Sequence, residues 1–189
     1  FQRVIYITGC NGFIGASLTS YLGLKGLKVM KINRKNIEDF TSIMLSEDNI
    51  LIHCAWEGVL GKERNSRLQK ENMILTNKVI SLVKHLQIKT FLGFGSQAEY
   101  GSYNRRIFEF DQLNPTTIYG ETKIKCSKKL ETNLNNMGVN FIWLRLFDAY
   151  GRVLAVDLVA ETALPHWDNS AMDGYALRAV DTGWHAAAT

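Results

Sequence analysis

The chain has 189 residues, of which 46% are hydrophobic and 21% charged, and its formal net charge at pH 7 is +4. This composition excludes the disordered, collagen-like and disulfide-stapled classes. The charge is too small to indicate a nucleic-acid partner, and no apolar run approaches the ~20 residues that span a bilayer. We therefore predict a cytoplasmic protein that binds neither nucleic acid nor membrane.

Apolar runs and helical patterns alternate along the first 150 residues. They predict strands at 3–8, 27–32, 50–54, 89–95 and 139–146, helices at 13–24, 62–86 and 119–137, and a short helical or irregular piece at 37–45. Strands that alternate with helices form a parallel sheet covered on both faces. The fold class is therefore α/β, a doubly wound parallel Rossmann-type sheet of about five strands.

The composition changes near residue 150. Residues 1–150 carry 20 Lys and Arg against 13 Asp and Glu, whereas residues 151–189 carry 2 against 5, with nine Ala and no Lys or Ile. This break favours a join between two unrelated sequences, which would divide the chain into domains 1–150 and 151–189. A polar extension of biased composition is the alternative.

The turn after the first strand reads Thr8-Gly9-Cys10-Asn11-Gly12-Phe13-Ile14-Gly15. Glycines there let the backbone approach a pyrophosphate, and the following helix offers free N–H donors. Glycine also serves plain turns, so it is the position between strand and helix that indicates a dinucleotide site. The candidate contacts are Gly9, Asn11, Gly12, Phe13, Ile14 and Gly15.

The second strand ends in Asn33, followed by Arg34 and Lys35. An Asp there would bond the ribose 2′-hydroxyl and favour NAD, whereas a guanidinium can pair with a 2′-phosphate. Asn33 and Arg34 are thus predicted to contact the adenosine side of the cofactor, and NADP is favoured over NAD. Solvated loop charges are the alternative.

The T-G-x-x-G-x-x-G spacing resembles that of the extended short-chain dehydrogenase/reductase family, which contains NAD(P)-dependent sugar-nucleotide epimerases, dehydratases and 4-ketoreductases. The resemblance covers residues 1–151. It implies that Ala55 and Trp56 flank the dinucleotide and that Asn72 lies near the active site, although a solvent-facing Asn72 is an alternative. His53 lies inside an apolar run, so we expect it in the core.

Tyr119 and Lys123 are four residues apart, which places both on one face of a helix. A phenol with a pKa near ~10 needs a nearby cation to act as a base at neutral pH. The segment from Phe94 to Gly101 also resembles the family's catalytic Ser/Thr segment. The resemblance implies that Ser96, Tyr119 and Lys123 are catalytic and that Tyr119 and Lys123 also contact the cofactor. A structural tyrosine beside a solvated lysine is the alternative.

The reaction implied by the resemblance is hydride transfer between nicotinamide and a carbon of a nucleotide-linked sugar, while Tyr119 moves the proton. Gln97 and Ala98 stand where dehydratases carry an acidic pair, which leaves 4-keto-sugar reduction or epimerisation. A non-catalytic dinucleotide-binding module is the competing hypothesis. No metal site is predicted, and a homodimer is left open.

The string DNSAMDGYA at residues 168–176 resembles the N-terminal region of molybdopterin molybdenumtransferases. This second resemblance covers residues 151–183 and predicts a chimera whose sheet is truncated before the substrate domain and continues into a foreign tail. Turnover would then be impaired. A fragment of a molybdenum-cofactor biosynthesis protein is the remaining alternative.

Overall fold

The computed structural model describes residues 3–33, 37 and 48–147. Its strands and α-helices are β1 (Val4–Thr8), α1 (Phe13–Leu24), β2 (Lys28–Ile32), β3 (Ile50–His53), α2 (Gln69–His85), β4 (Thr90–Ser96), α3 (Ile118–Asn136) and β5 (Asn140–Leu146). Two 3₁₀ turns, Gly61–Asn65 and Gln97–Glu99, precede α2 and follow β4. The predictions for Arg34 and Lys35, for most of residues 37–45 and for residues 148–189 lie outside the described residues.

The five strands form one parallel sheet, as predicted, and their order in it is β2-β1-β3-β4-β5. The chain changes direction across the sheet between β1 and β3, and ligands of open α/β sheets bind at such a switch point, beyond the carboxyl ends of the strands. Thr8 at the end of β1 lies level with Ile32 and His53, the last residues of β2 and β3. Three strand ends therefore open into the same crevice.

Helices cover both faces of the sheet. Alternate residues of β1 point to opposite faces, so Tyr6 packs with the core under α2 and α3, while Ile5 and Ile7 pack beneath α1. The larger core includes Leu51, Phe91, Val79, Leu82, Leu130 and Leu134. Burying each such side chain contributes roughly 1.5–3 kcal/mol. No helix within the described ranges is long and apolar enough to cross a membrane.

The long helix predicted at 62–86 is interrupted, which corrects that prediction. Ser66 adopts an extended backbone conformation, and its hydroxyl donates to the Glu63 carbonyl at 2.9 Å and accepts from the Leu68 amide at 3.2 Å. These side-chain bonds replace helical ones. The segment before α2 therefore becomes a separate 3₁₀ turn, and the Asn65 side chain accepts from the Ile118 amide at the start of α3 at 3.0 Å.

Candidate active site

The glycine turn brings the start of α1 against the end of β3. Gly9 has φ +67°, and a Cβ there would lie 2.6 Å from the Ala55 backbone nitrogen. A Cβ on Gly15 would collide with the Gly9 carbonyl oxygen. Both positions therefore require glycine, because the backbone itself fills the space that a side chain would need.

The first turn of α1 is open at its amino end. Gly12 is the N-cap and offers no side-chain acceptor, and the helix provides no partners for the amides of its own first turn. The N–H groups of Phe13, Ile14 and Gly15 are therefore donors for an anion, assisted by the positive end of the helix dipole. The Phe13 side chain itself is 61% exposed.

A cleft of about 340 Å³ lies beside this turn, at the switch point of the sheet. It is lined by Thr8, Gly9, Cys10, Asn11, Gly12, Ile32, Asn33, Ile37, Cys54, Ala55, Trp56, Glu57 and Leu75. The structure thus brings six of the predicted cofactor contacts together: Gly9, Asn11, Gly12, Asn33, Ala55 and Trp56. Arg34 lies outside the described residues.

Asn72 is 1% exposed, so it is not a solvent-facing helical residue. Its Oδ1 accepts from the Glu57 amide at 2.8 Å, and its Nδ2 donates to the Glu57 carbonyl at 3.0 Å and to Gln69 Oε1 at 3.2 Å. Gln69 in turn donates to the Gly58 carbonyl at 2.7 Å. Asn72 thereby fixes the segment after β3 that carries Trp56. A direct contact of Asn72 with a cofactor stays a prediction.

The Ser96 hydroxyl lies near the Tyr119 hydroxyl and lowers the pKa of the tyrosine. Ser96 is the last residue of β4, and its Oγ also accepts from the Ala98 amide at 3.2 Å. Tyr119 lies in the first turn of α3, which Thr117 caps by accepting from the Gly120 amide at 3.1 Å. The end of β4 and the start of α3 therefore bring the two predicted catalytic hydroxyls together.

Burial raises the pKa of Tyr119, and both the nearby Ser96 hydroxyl and the charge of Arg64 oppose this rise. The Arg64 guanidinium lies over the Tyr119 ring, 4.7 Å from its centroid. The sequence suggests Lys123 for this role, yet the Lys123 ammonium is 5.7 Å from the same centroid. No local pattern in the sequence points to Arg64, which is 55 positions away from Tyr119 along the chain.

Lys123 is only 5% exposed. Its Nζ donates to the Phe94 carbonyl at 2.6 Å and lies 3.7 Å from the Trp56 ring centroid. Burial lowers the pKa of Lys123 to about 7, with the nearby Glu99 charge acting in the opposite direction. Near neutral pH, a large share of this side chain is therefore uncharged.

Trp56 joins the cleft to the predicted catalytic side chains. It lines the cleft, and its ring packs edge-on against Tyr119, with the ring centroids 6.0 Å apart at an interplanar angle of 82°. The two predicted groups of residues, cofactor-binding and catalytic, are therefore parts of one continuous site.

Glu99 is a further residue of the site, missed by the sequence analysis. It is fully buried, and its carboxylate accepts from the Ser96 amide at 2.9 Å, Trp143 Nε1 at 3.1 Å and Arg145 Nε at 2.8 Å. Its position three residues after Ser96 matches the spacing of a capping box, and that spacing was the available signal. Glu99 holds the backbone of Ser96 in place.

His53 lies in the core, as predicted. It is buried, and its Nδ1 lies 2.6 Å from Thr8 Oγ1. Burial, with a smaller contribution from the Lys123 charge, lowers the pKa of His53 to about 3. The imidazole is therefore neutral at physiological pH and links the ends of β1 and β3.

Residues 5–183 match the family model described as the NAD dependent epimerase/dehydratase family. The chain belongs to this family. An uncharacterized UDP-glucose epimerase, YtcB of Bacillus subtilis, is 25% identical over 155 residues, which cover 77% of this chain and 49% of that protein. The solved structure of MoeE5 in complex with UDP-glucose and NAD superimposes with a TM-score of 0.66 at 18% identity, covering 77% of this chain and 55% of MoeE5. The chain thus spans about half the length of these epimerase/dehydratase relatives.

A short segment matches a different family. Over 36 residues the chain is 61% identical to the molybdopterin molybdenumtransferase of Synechococcus elongatus, which is 19% of this chain and 9% of that protein. This match agrees with the second resemblance and with a chimera, although the epimerase/dehydratase match also extends past residue 151 to residue 183. The division into domains at residue 150 stays a prediction.

Proposed function

We propose that the chain carries the cofactor-binding and catalytic half of an NAD(P)-dependent sugar-nucleotide oxidoreductase that either reduces a nucleotide-linked 4-keto sugar or epimerises a nucleotide-linked sugar. The observation that carries the proposal is that the Ser96 and Tyr119 hydroxyls come together beside the buried Lys123. YtcB is named as a UDP-glucose epimerase, and MoeE5 was solved with UDP-glucose and NAD, which supports a nucleotide-linked sugar as substrate.

The cleft residues fit a dinucleotide. Gly9 and Gly15 let the turn pack tightly against neighbouring backbone, so that Gly9 and Gly12 line the cleft, and Asn33 lines its end at β2. When bound, the nicotinamide supplies the donor or acceptor of hydride. The NAD in the MoeE5 structure supports NAD as cofactor, whereas the preference for NADP depends on Arg34, which is outside the described residues.

The side chains of the chain supply proton transfer and orientation. The Tyr119 hydroxyl gives a proton to the sugar oxygen on reduction and takes it on oxidation. The Ser96 hydroxyl donates a hydrogen bond to the same oxygen, and Glu99 keeps Ser96 in position. Lys123 uses one N–H donor on the Phe94 carbonyl and has others for a cofactor ribose. The absence of an acidic pair at positions 97 and 98 argues against dehydration.

Two measurements test this proposal. The first is titration with NADH and NADPH, followed by nicotinamide fluorescence and by the rise in melting temperature. The second is turnover with a nucleotide-linked 4-keto sugar and with UDP-glucose, comparing the native chain with Tyr119→Phe. We expect Tyr119→Phe to bind the cofactor normally and to lose turnover by about 10²–10⁴-fold.

Tyr21→Phe is the matched control, since Tyr21 is a half-exposed tyrosine on the outside of α1. It should keep both binding and turnover. Failure to bind either dinucleotide would overturn the proposal, as would a Tyr119→Phe variant that turns over at the native rate. Binding without turnover in the native chain would instead support a dinucleotide-binding module.

A further inference from the structure

Arg64 lies against the catalytic tyrosine although it comes from a distant segment. Its guanidinium carbon is 4.7 Å from the Tyr119 ring centroid. The adjacent Asn65 accepts a hydrogen bond from the Ile118 amide at 3.0 Å. Because that bond joins the residues next to Arg64 and Tyr119, the 3₁₀ turn and α3 hold the guanidinium over the ring.

The Arg64 guanidinium has no carboxylate partner among the residues that the structure describes. The Arg64 Nε is buried and has no hydrogen-bond acceptor among those described residues. Burying an N–H donor without a partner costs roughly 1–3 kcal/mol. A guanidinium remains protonated at any pH at which the protein is folded. The positive charge of Arg64 is thus permanent. It lies over the Tyr119 ring, and no carboxylate of the described residues neutralises it.

Lys123 is less well placed for the same task. Its ammonium lies 5.7 Å from the Tyr119 ring centroid but 3.7 Å from that of Trp56. It also donates to the Phe94 carbonyl at 2.6 Å. Its strongest contacts are therefore with Trp56 and β4, and near neutral pH it is only partly charged because burial lowers its pKa to about 7.

We propose that Arg64 is a positioning residue that acts through Tyr119: its stacked guanidinium supplies the permanent positive charge that favours the phenolate form of the tyrosine. The inference rests on the proposed function, in which Tyr119 transfers the proton. The sequence suggests Lys123 alone as the cation that stabilises the phenolate. In this proposal Arg64 supplies that charge, and Lys123 holds the cofactor.

Charged groups face Tyr119 from three elements. Arg64 comes from the 3₁₀ turn Gly61–Asn65, Glu99 from the 3₁₀ turn Gln97–Glu99, and Lys123 from α3 itself. The charge of Glu99 acts with burial to raise the pKa of Tyr119, whereas Arg64 lowers it. Removing the Arg64 charge should therefore raise the pKa of Tyr119 further.

The test replaces Tyr119 by 3,5-difluorotyrosine, which ionises at lower pH than tyrosine and gives a single ¹⁹F signal. The midpoint of its pH titration is compared between the native background, Arg64→Gln and Arg64→Lys. We expect Arg64→Gln to raise the midpoint by about one pH unit, since an opposite charge at this range shifts a pKa by roughly one unit or more. Arg64→Lys, which keeps the charge, should retain most of the native value.

Arg67→Gln is the matched control, because it removes an exposed arginine from the same segment. Its midpoint should equal the native one. An unchanged midpoint in Arg64→Gln would overturn the proposal, as would a larger rise in Lys123→Gln than in Arg64→Gln. Should Arg64→Gln fail to fold, Arg64→Met gives the same comparison, since it keeps aliphatic packing without charge.

The ¹⁹F titration requires no turnover, so its failure is distinguishable from failure of the proposed function. If the chain turns over, a second readout applies. In Arg64→Gln, kcat for reduction, in which Tyr119 is the acid, should fall and its basic pH limb should shift upward, while the KM for the cofactor stays unchanged. A raised cofactor KM with an unshifted pH profile would instead assign Arg64 to cofactor binding and overturn the proposal.

Discussion

The glycine turn and the predicted catalytic cluster lie at neighbouring strand ends but are built in opposite ways. The turn consists of backbone, with Gly9 and Gly15 leaving no room for side chains. The catalytic cluster consists of buried ionisable side chains, Tyr119, Lys123 and Glu99, each held by partners from other elements. The turn is therefore sensitive to added atoms, whereas the cluster is sensitive to removed charges.

The largest effect is expected where one methyl group enters the turn. In Gly15→Ala the new Cβ meets the Gly9 carbonyl oxygen, and relieving this contact shifts the backbone at a strain of about 3 kcal/mol. Cofactor binding should weaken by roughly two orders of magnitude. Titration with NADH measures the change.

Gly23→Ala is the control within the same helix, because nothing lies within 4 Å of the position of its Cβ. It should bind cofactor normally and gain up to about 1 kcal/mol in stability, since alanine favours the helix. If Gly15→Ala and Gly23→Ala changed cofactor binding equally, the turn would tolerate added atoms, and the proposed sensitivity of the turn would be wrong.

The next effect concerns the Glu99 carboxylate, which accepts a hydrogen bond from the Ser96 amide. Glu99→Gln leaves Arg145, whose side chain is 26% exposed, without its buried carboxylate partner. We expect a loss of about 2–3 kcal/mol in the free energy of unfolding, near the lower end for breaking a buried ion pair. Urea denaturation measures it. Glu121→Gln removes an exposed pair with Lys125 and should change stability by less than about 1 kcal/mol.

A third effect is a pH dependence caused by His53. Its pKa in the folded chain is about 3, against an ordinary value of 6.5. Below pH 6.5 the unfolded chain therefore binds a proton that the folded chain does not, and stability falls as the pH decreases towards 3. Between pH 7 and pH 5 the loss from this residue is about 2 kcal/mol.

The measurement is urea denaturation of the native chain and of His53→Gln at both pH values. Between pH 7 and pH 5, the free energy of unfolding should fall less in His53→Gln than in the native chain, and the difference is the contribution of His53. His85→Gln, at an exposed histidine at the end of α2, should keep the native dependence. If the stability of all three proteins depended on pH in the same way, the conclusion that the His53 imidazole is buried and neutral would be wrong.

The smallest effect is a gain in stability on substitution. Because burial lowers the pKa of Lys123 to about 7, its ammonium destabilises the folded chain at neutral pH, and the destabilisation decreases as the pH rises towards the unfolded value. Lys123→Met should therefore raise the free energy of unfolding by about 1 kcal/mol at pH 7, while it weakens cofactor binding. The gain should shrink at pH 9, and a loss of stability at pH 7 would contradict the prediction.

The sequence predicted the parallel sheet and the glycine turn because both depend on local patterns. The helix predicted at 13–24 matches α1 at both ends, and the strands agree within one residue. Glycine at positions 9 and 15 specifies the backbone path directly, so no distant residue was needed. The convergence of Ser96 with Tyr119 followed from the family resemblance rather than from periodicity.

The remaining features depend on contacts that no local pattern encodes. Ser66 ends the 3₁₀ turn through its own side chain, although the apolar spacing around it suits a helix. Arg64 contacts a ring 55 positions later in the chain, and Glu99 pairs with Arg145 46 positions later. Such pairs exist only once the sheet has brought β4, β5 and the turn before α2 together.

The position of Trp56 makes intrinsic tryptophan fluorescence a measure of ligand binding. Its indole rests on the Lys123 ammonium and lines the cleft, so any ligand that engages the lysine or fills the cleft changes the surroundings of the ring. Tryptophan emission should respond to occupancy at both ends of the site, and Trp56→Phe would silence that component of the signal.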